Sequence, residues 1–168
     1  GNMNFLIPWE ADRDIYIGDT YHYTQGISDY KIYHKQIIKD LGTNVFEDLI
    51  AHPPWLGLKK DHWSLIGPKG TFIKVDSIQS LHDLALVIRN TDSSYVLFPN
   101  EQSLLINKEV TVNSLLSRDR QGKVRARYLL KTHKDAQEIY NKEGELMFKG
   151  NFDHINPLTD SLFKITLN

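Results

Sequence analysis

Apolar and polar positions change rhythm near residue 60. Before it, Tyr30, Tyr33, Ile37 and Leu41 recur at three- and four-residue spacing, the stripe of one helix face. With Ser28 and Gly42 as caps, that spacing predicts a helix over 29–41. Lys31, Lys35 and Lys39 form a solvated row beside the stripe. A shorter helix is predicted over 45–51. Thr43 or Asn44 caps it, Glu47 and Asp48 suit its positive end, and Pro53-Pro54 stops it. Trp55 to Lys60 then reads as a loop, because Gly57 and the prolines disfavour regular structure. Upstream, Ile15-Tyr16-Ile17 reads as a short strand closed by Gly18-Asp19.

From Asp61 onward the rhythm is that of strands. Apolar segments at 63–66, 71–74, 84–89, 95–98, 104–107, 110–116, 123–130, 138–140, 145–149 and 162–167 are separated by turn residues. Those turns include Pro68-Lys69-Gly70, Pro99-Asn100, Gln121-Gly122 and Lys142-Glu143-Gly144. Short strands with tight turns predict an antiparallel meander. The expected fold class is therefore α+β in a single domain over 1–168. A helix-containing cap over 1–60 precedes a β-rich part over 61–168.

Two stretches of the β-rich part repeat one another. Trp63 to Asn90 and Ile139 to Asn168 each contain a strand, a lysine-bearing glycine turn and an apolar pair. An Asp-x-Ile step follows (Asp76-Ser77-Ile78; Asp153-His154-Ile155), then a leucine and a closing strand. A weaker copy lies between them, from Tyr95. There Gln102 holds the position of Gly70 and Gly144, and the Asp-x-Ile step is missing. The strong copies, about 63–90 and 138–168, resemble the bacterial WG repeat. The residues that carry the resemblance are Trp63-Ser64-Leu65-Ile66-Gly67-Pro68-Lys69-Gly70, Asn141-Lys142-Glu143-Gly144 and Phe152-Asp153-His154-Ile155. Ser64 stands where that family has glycine. The resemblance implies β-rich binding modules without catalytic residues.

The charge balance narrows the partners. The formal net charge is −1, so attraction to nucleic acid or anionic membrane needs a local patch. Residues 1–50 hold eight acids and four bases. The chain has no cysteine, which removes disulfides, thiolate metal sites and cysteine nucleophiles. No apolar run reaches the ~20 residues of a membrane span, and no leader-like segment opens the chain. A cytoplasmic protein is expected, with an exported mature domain whose leader has been removed as the alternative.

One cluster stands out as candidate chemistry. Arg118, Arg120, Lys123, Arg125 and Arg127 surround the Gln121-Gly122 turn. On the strand after that turn, alternation places Lys123, Arg125 and Arg127 on one face, with Val124, Ala126 and Tyr128 on the other. Arginine forks suit carboxylates and phosphates. The sparse aromatic content of the basic face favours an acidic protein over nucleic acid. The seven histidines show no metal-ligand spacing, and Ser114 and Ser117 have no evident partner base. Glu10, Asp12 and Asp14 alternate as an acidic edge. No phosphate-binding loop, dinucleotide fingerprint or nucleophile elbow is present, so neither a cofactor nor a metal is implied. The expected function is non-enzymatic protein binding, of the immunity or inhibitor type. The rival reading is a ligand pocket or enzyme site near Trp9, Tyr21, Tyr23 and Trp55. A third is anion or nucleic-acid binding through the Arg118–Arg127 hairpin.

Overall fold

The structure, a computed structural model, describes residues 15–17, 20–22, 42–43, 45–67, 71–160 and 162–167. Among these residues every regular element is a strand, so the α+β expectation is corrected to all-β. The helix predicted over 29–41 lies outside the described residues, as do Trp9, Tyr23 and the acids Glu10, Asp12 and Asp14. The chain divides into two compact units, Gly1–Val75 and Asp76–Asn168.

In the first unit, β1 (Ile15–Ile17) pairs antiparallel with β2 (Thr20–His22) and parallel with β3 (Val45–Phe46). A second sheet is a four-stranded meander of β4 (Asp48–His52), β5 (Trp55–Lys60), β6 (His62–Ile66) and β7 (Phe72–Val75). The helix predicted over 45–51 is thus β3 and β4. Its residues pair laterally instead: Leu49 lies opposite Leu58, and the Glu47 N–H donates to the Lys59 carbonyl at 2.7 Å. A helix of about two turns is too short to be stable by itself and does not outweigh that pairing. The expected loop 55–60 is β5, the second strand of the sheet. Leu56 and Leu58 are completely buried and Trp55 is 6% exposed. A strand covered on both faces loses apolar–polar alternation, which hid it in the sequence. Pro53-Pro54, joined by a cis peptide bond, makes the β4–β5 turn.

The second unit repeats the four-stranded meander. One sheet runs β8 (Ser77–Leu81), β9 (Ala85–Arg89), β10 (Ser94–Leu97) and β11 (Ser103–Ile106). The next runs β12 (Thr111–Arg118), β13 (Val124–His133), β14 (Ala136–Tyr140) and β15 (Leu146–Gly150). A two-stranded sheet, β16 (His154–Pro157) and β17 (Phe163–Thr166), follows. Each strand predicted beyond Asp61 overlaps an observed one. The strands β8 and β16 fall on the Asp-x-Ile steps and were not anticipated. Their residues are mostly polar, and Pro157 ends β16.

Two apolar layers hold this unit together. Leu81, Val87, Val96, Phe98, Ala126 and Leu129 belong to a cluster between the β8–β11 and β12–β15 sheets. Tyr128, Ile139 and Phe152, with Ile155, Phe163 and Ile165, form a second cluster between β12–β15 and β16–β17. Fully burying one such side chain contributes about 1.5–3 kcal/mol, so the sheets stack rather than lie in one plane.

One turn geometry recurs at three hairpin ends. The N–H of Gly144 donates to Asn141 O at 3.1 Å, and that of Asn141 to Glu145 O at 3.0 Å. Asp119 to Lys123 and Phe98 to Gln102 close in the same way. The third loop residue has positive φ in each: Gly144 (82°), Gly122 (79°) and Glu101 (73°). This is the three-residue hairpin loop with a left-handed final residue. The position equivalent to Gly144 is thus Glu101, not the Gln102 that spacing suggested. The corresponding turn at 68–70 lies outside the described residues.

Candidate functional site: an exposed basic arm

The predicted basic cluster sits on the β12–β13 hairpin, the longest among the described residues. Along β13, residues 129–133 pair with β14, whereas 124–128 pair with β12 alone. The β12–β13 hairpin therefore runs beyond the rest of its sheet as a two-stranded arm, with Asp119 to Lys123 at its tip.

A β-bulge at the base of the arm reorders its faces. Leu115 lies opposite Tyr128 and Leu116 opposite Ala126, which leaves Arg127 as the extra residue. One inserted residue reverses the alternation beyond it. Ala126 consequently enters the layer against β8–β11, while Tyr128 enters the layer against β16–β17. The expectation that both share a face is corrected by that bulge.

The five cations then separate into two groups. Arg125 Nε lies 3.2 Å from Asp119 Oδ2. Arg127 is largely buried; it donates to Ser117 Oγ at 2.9 Å and to Asp160 Oδ1 at 2.7 Å. Lys142 Nζ approaches the other Asp160 oxygen at 3.4 Å. Beside them the Tyr128 hydroxyl donates to the Thr159 carbonyl at 2.7 Å. These contacts fasten the base of the arm to the β16–β17 turn. Arg118, Arg120 and Lys123 are exposed, and no carboxylate lies within ion-pair distance of them among the described residues. Arg118 Nη1 donates to the Gly122 carbonyl at 2.8 Å, which holds its guanidinium over the tip.

Local electrostatics follow from these bonds. Backbone N–H donation from Lys123, assisted by Arg125 and Gln121, holds the Asp119 carboxyl below its usual range. The hydrogen bond from Arg127, with Lys142 nearby, does the same for Asp160. Both carboxylates are thus committed to structure, and Arg125 and Arg127 with them. Beside Arg118 two aliphatic residues are exposed: Leu116 at 40% and Val124 at 44%. Arg118 lies directly opposite Val124, and Leu116 follows the same alternation.

Elsewhere in the second unit two polar arrangements were not legible in sequence. His82 Nδ1 is 3.0 Å from Ser114 Oγ, so Ser114 has a base within reach. The pair joins β12 to a loop 32 residues earlier, a separation with no local signal. A cleft of about 230 Å³ is lined by Lys131, His133, Ala136, Glu138 and Lys149. Glu138 fills its charge: burial opposes ionisation, but Tyr140 and Lys131 outweigh it and hold the carboxyl low. Tyr140, buried beside that carboxylate, is pushed up to about 12. His133 is 3.1 Å from Glu109. Among the described residues no three His, Asp or Glu side chains converge as a cation site. Of the aromatic residues suggested for a pocket, Trp55 is a core residue of β5, and Tyr21 belongs to β2.

The chain matches no protein-family model, no curated protein and no solved structure. Among the described residues no helix is long and apolar enough to cross a membrane.

Proposed function

We propose that this protein is a non-enzymatic binding module. Its β12–β13 arm recognises an acidic surface on another protein. The observation that carries the reading is the pairing of free cations with exposed aliphatics at the arm tip. Among the described residues Arg118, Arg120 and Lys123 have no carboxylate partner, and Leu116 and Val124 supply apolar contact beside Arg118. Arginine next to desolvatable aliphatic surface is a composition suited to protein interfaces. A nucleic-acid site would favour stacking rings, and Tyr128 is completely buried.

The resemblance to WG-type β repeats agrees with this reading. The stretch 63–90 spans β6 to β9 and the stretch 139–168 spans most of β14 to β17. Each copy would then contribute one hairpin to each of two successive sheets. Such units cannot bury their own faces alone and stack to do so. An immunity or inhibitor protein that masks a basic-surface-seeking partner is one form of such a module.

The test is charge reversal at the tip. Arg118→Glu/Arg120→Glu/Lys123→Glu should reduce affinity for the acidic partner at least 100-fold and leave the thermal midpoint within a few degrees. Binding unchanged by the triple reversal would exclude the arm as the contact.

A further inference from the structure

The two faces of the arm differ in what already occupies them. The extra residue of the bulge, Arg127, lies in β13, so β12 alternates without interruption. Ser114, Leu116 and Arg118 therefore share one face, and Leu115, Ser117 and Asp119 the other. The second face is occupied. Leu115 packs in the layer against β16–β17, Ser117 accepts from Arg127, and Asp119 holds Arg125. The first face is open at its outer end. Val124, opposite Arg118, is exposed there with Leu116. Arg118 has no carboxylate within ion-pair distance among the described residues.

At its inner end the same face meets His82. This residue stands in the β8–β9 turn with φ of 53°, in the left-handed region that histidine tolerates better than most side chains. The Leu84 N–H closes the turn on the Leu81 carbonyl at 3.0 Å, and Ser80 Oγ donates to the His82 carbonyl at 3.0 Å. The turn brings the exposed imidazole to β12, where Nδ1 lies 3.0 Å from Ser114 Oγ. With the Ser114 hydroxyl donating to Nδ1, the ring proton sits on Nε2, which can then donate to an anion. A single strip thus runs from a guanidinium, past two aliphatic side chains, to an imidazole N–H. Two residues of strand rise about 6.6 Å, so the strip from Arg118 to Ser114 spans roughly 13 Å with Leu116 midway.

We infer that this strip, rather than the tip as a whole, sets which acidic partner the arm accepts: an extended segment with two carboxylates separated by an apolar side chain. The inference rests on the reading of the arm as a binder of acidic protein. One carboxylate meets Arg118, the apolar side chain covers Leu116 and Val124, and the second carboxylate accepts from His82 Nε2. An extended chain presents alternate side chains on one face at the spacing of β12 itself. The pattern is therefore acidic, apolar, acidic at every second residue. A basic or uncharged segment would leave Arg118 without a counter-charge. Arg120 and Lys123 belong to the loop and add attraction without fixing register.

Chemical-shift titration of the full chain with three blocked pentapeptides tests this. The first has glutamate at both ends, leucine at the centre and serine between. The second replaces one glutamate by glutamine, and the third replaces the leucine by serine. The first should shift resonances of His82, Leu116 and Arg118 together. The second should leave His82 unmoved, and the third should leave Leu116 unmoved. His82→Asn keeps a residue that tolerates the turn but shortens its reach. It should weaken the first peptide about threefold and leave the second unchanged. Equal weakening of both would mark His82 as structural and overturn its assignment. Shifts confined to Arg118, Arg120 and Lys123, the same for all three peptides, would overturn the inference and leave the arm-tip reading standing. No shift with any peptide would overturn both.

Discussion

Arg127 shows how little of a cation's role is visible in its position along the chain. As one of five nearby bases it reads as part of a binding patch. As the extra residue of a bulge it is a structural bridge between Ser117 and Asp160. Arg127→Ala should therefore destabilise the protein by about 1.5–3 kcal/mol, the range for hydrogen bonds to charged groups, as read by urea unfolding. The same substitution at Arg120 should cost less than ~0.5 kcal/mol. Equal costs at the two sites would refute the division of the cations. Tyr140 makes a prediction in pH. Its ordinary value is 10.0, and the folded protein raises it to about 12. A raised value means the folded state keeps its proton longer than the unfolded chain. That stability is fully present below about pH 10 and is lost as pH rises towards 12. Tyr140→Phe should flatten the decline in melting temperature over that window. An unaltered slope would assign the decline to other groups.

At the scale of elements, the meander was legible from Asp61 onward because alternation and turn residues agree there. Four segments of the fold were not. β5 was hidden by being buried on both faces, β8 and β16 by their polar residues, and 45–51 by a capping pattern that lateral pairing overrode. The turns give a sharper test than the strands. Gly144 has φ of 82°, and an added Cβ would lie 3.0 Å from the Phe98 ring. Gly122 has nearly the same φ, with open space around it. Alanine at either costs roughly 1–2 kcal/mol for the left-handed backbone. At Gly144 it must also displace Phe98, so Gly144→Ala should exceed Gly122→Ala in a comparison of unfolding free energies. Lys134, exposed with φ of 56°, offers the converse. Lys134→Gly should raise stability by about 1 kcal/mol by relieving that conformation. Destabilisation there would show that the turn gains more from the side chain than it loses in strain.

For the whole molecule, composition excluded cysteine chemistry, and the arrangement of strands supplied the all-β class. The basic hairpin could be found from sequence because its turn and its charges are adjacent. Its division into bound and free cations could not, since Asp160 lies 33 residues from Arg127 and the bulge leaves no mark in the alternation. The free cations at the tip, set among exposed aliphatics, are the basis for reading the protein as a binder of acidic protein surfaces. The most direct test compares the proteins retained by immobilised wild type and by Arg118→Glu/Arg120→Glu/Lys123→Glu, quantified by mass spectrometry across a salt series. The account predicts a partner with an acidic surface that the wild type holds, added salt weakens, and the triple variant loses. Retention of the same proteins to the same extent by both would contradict it.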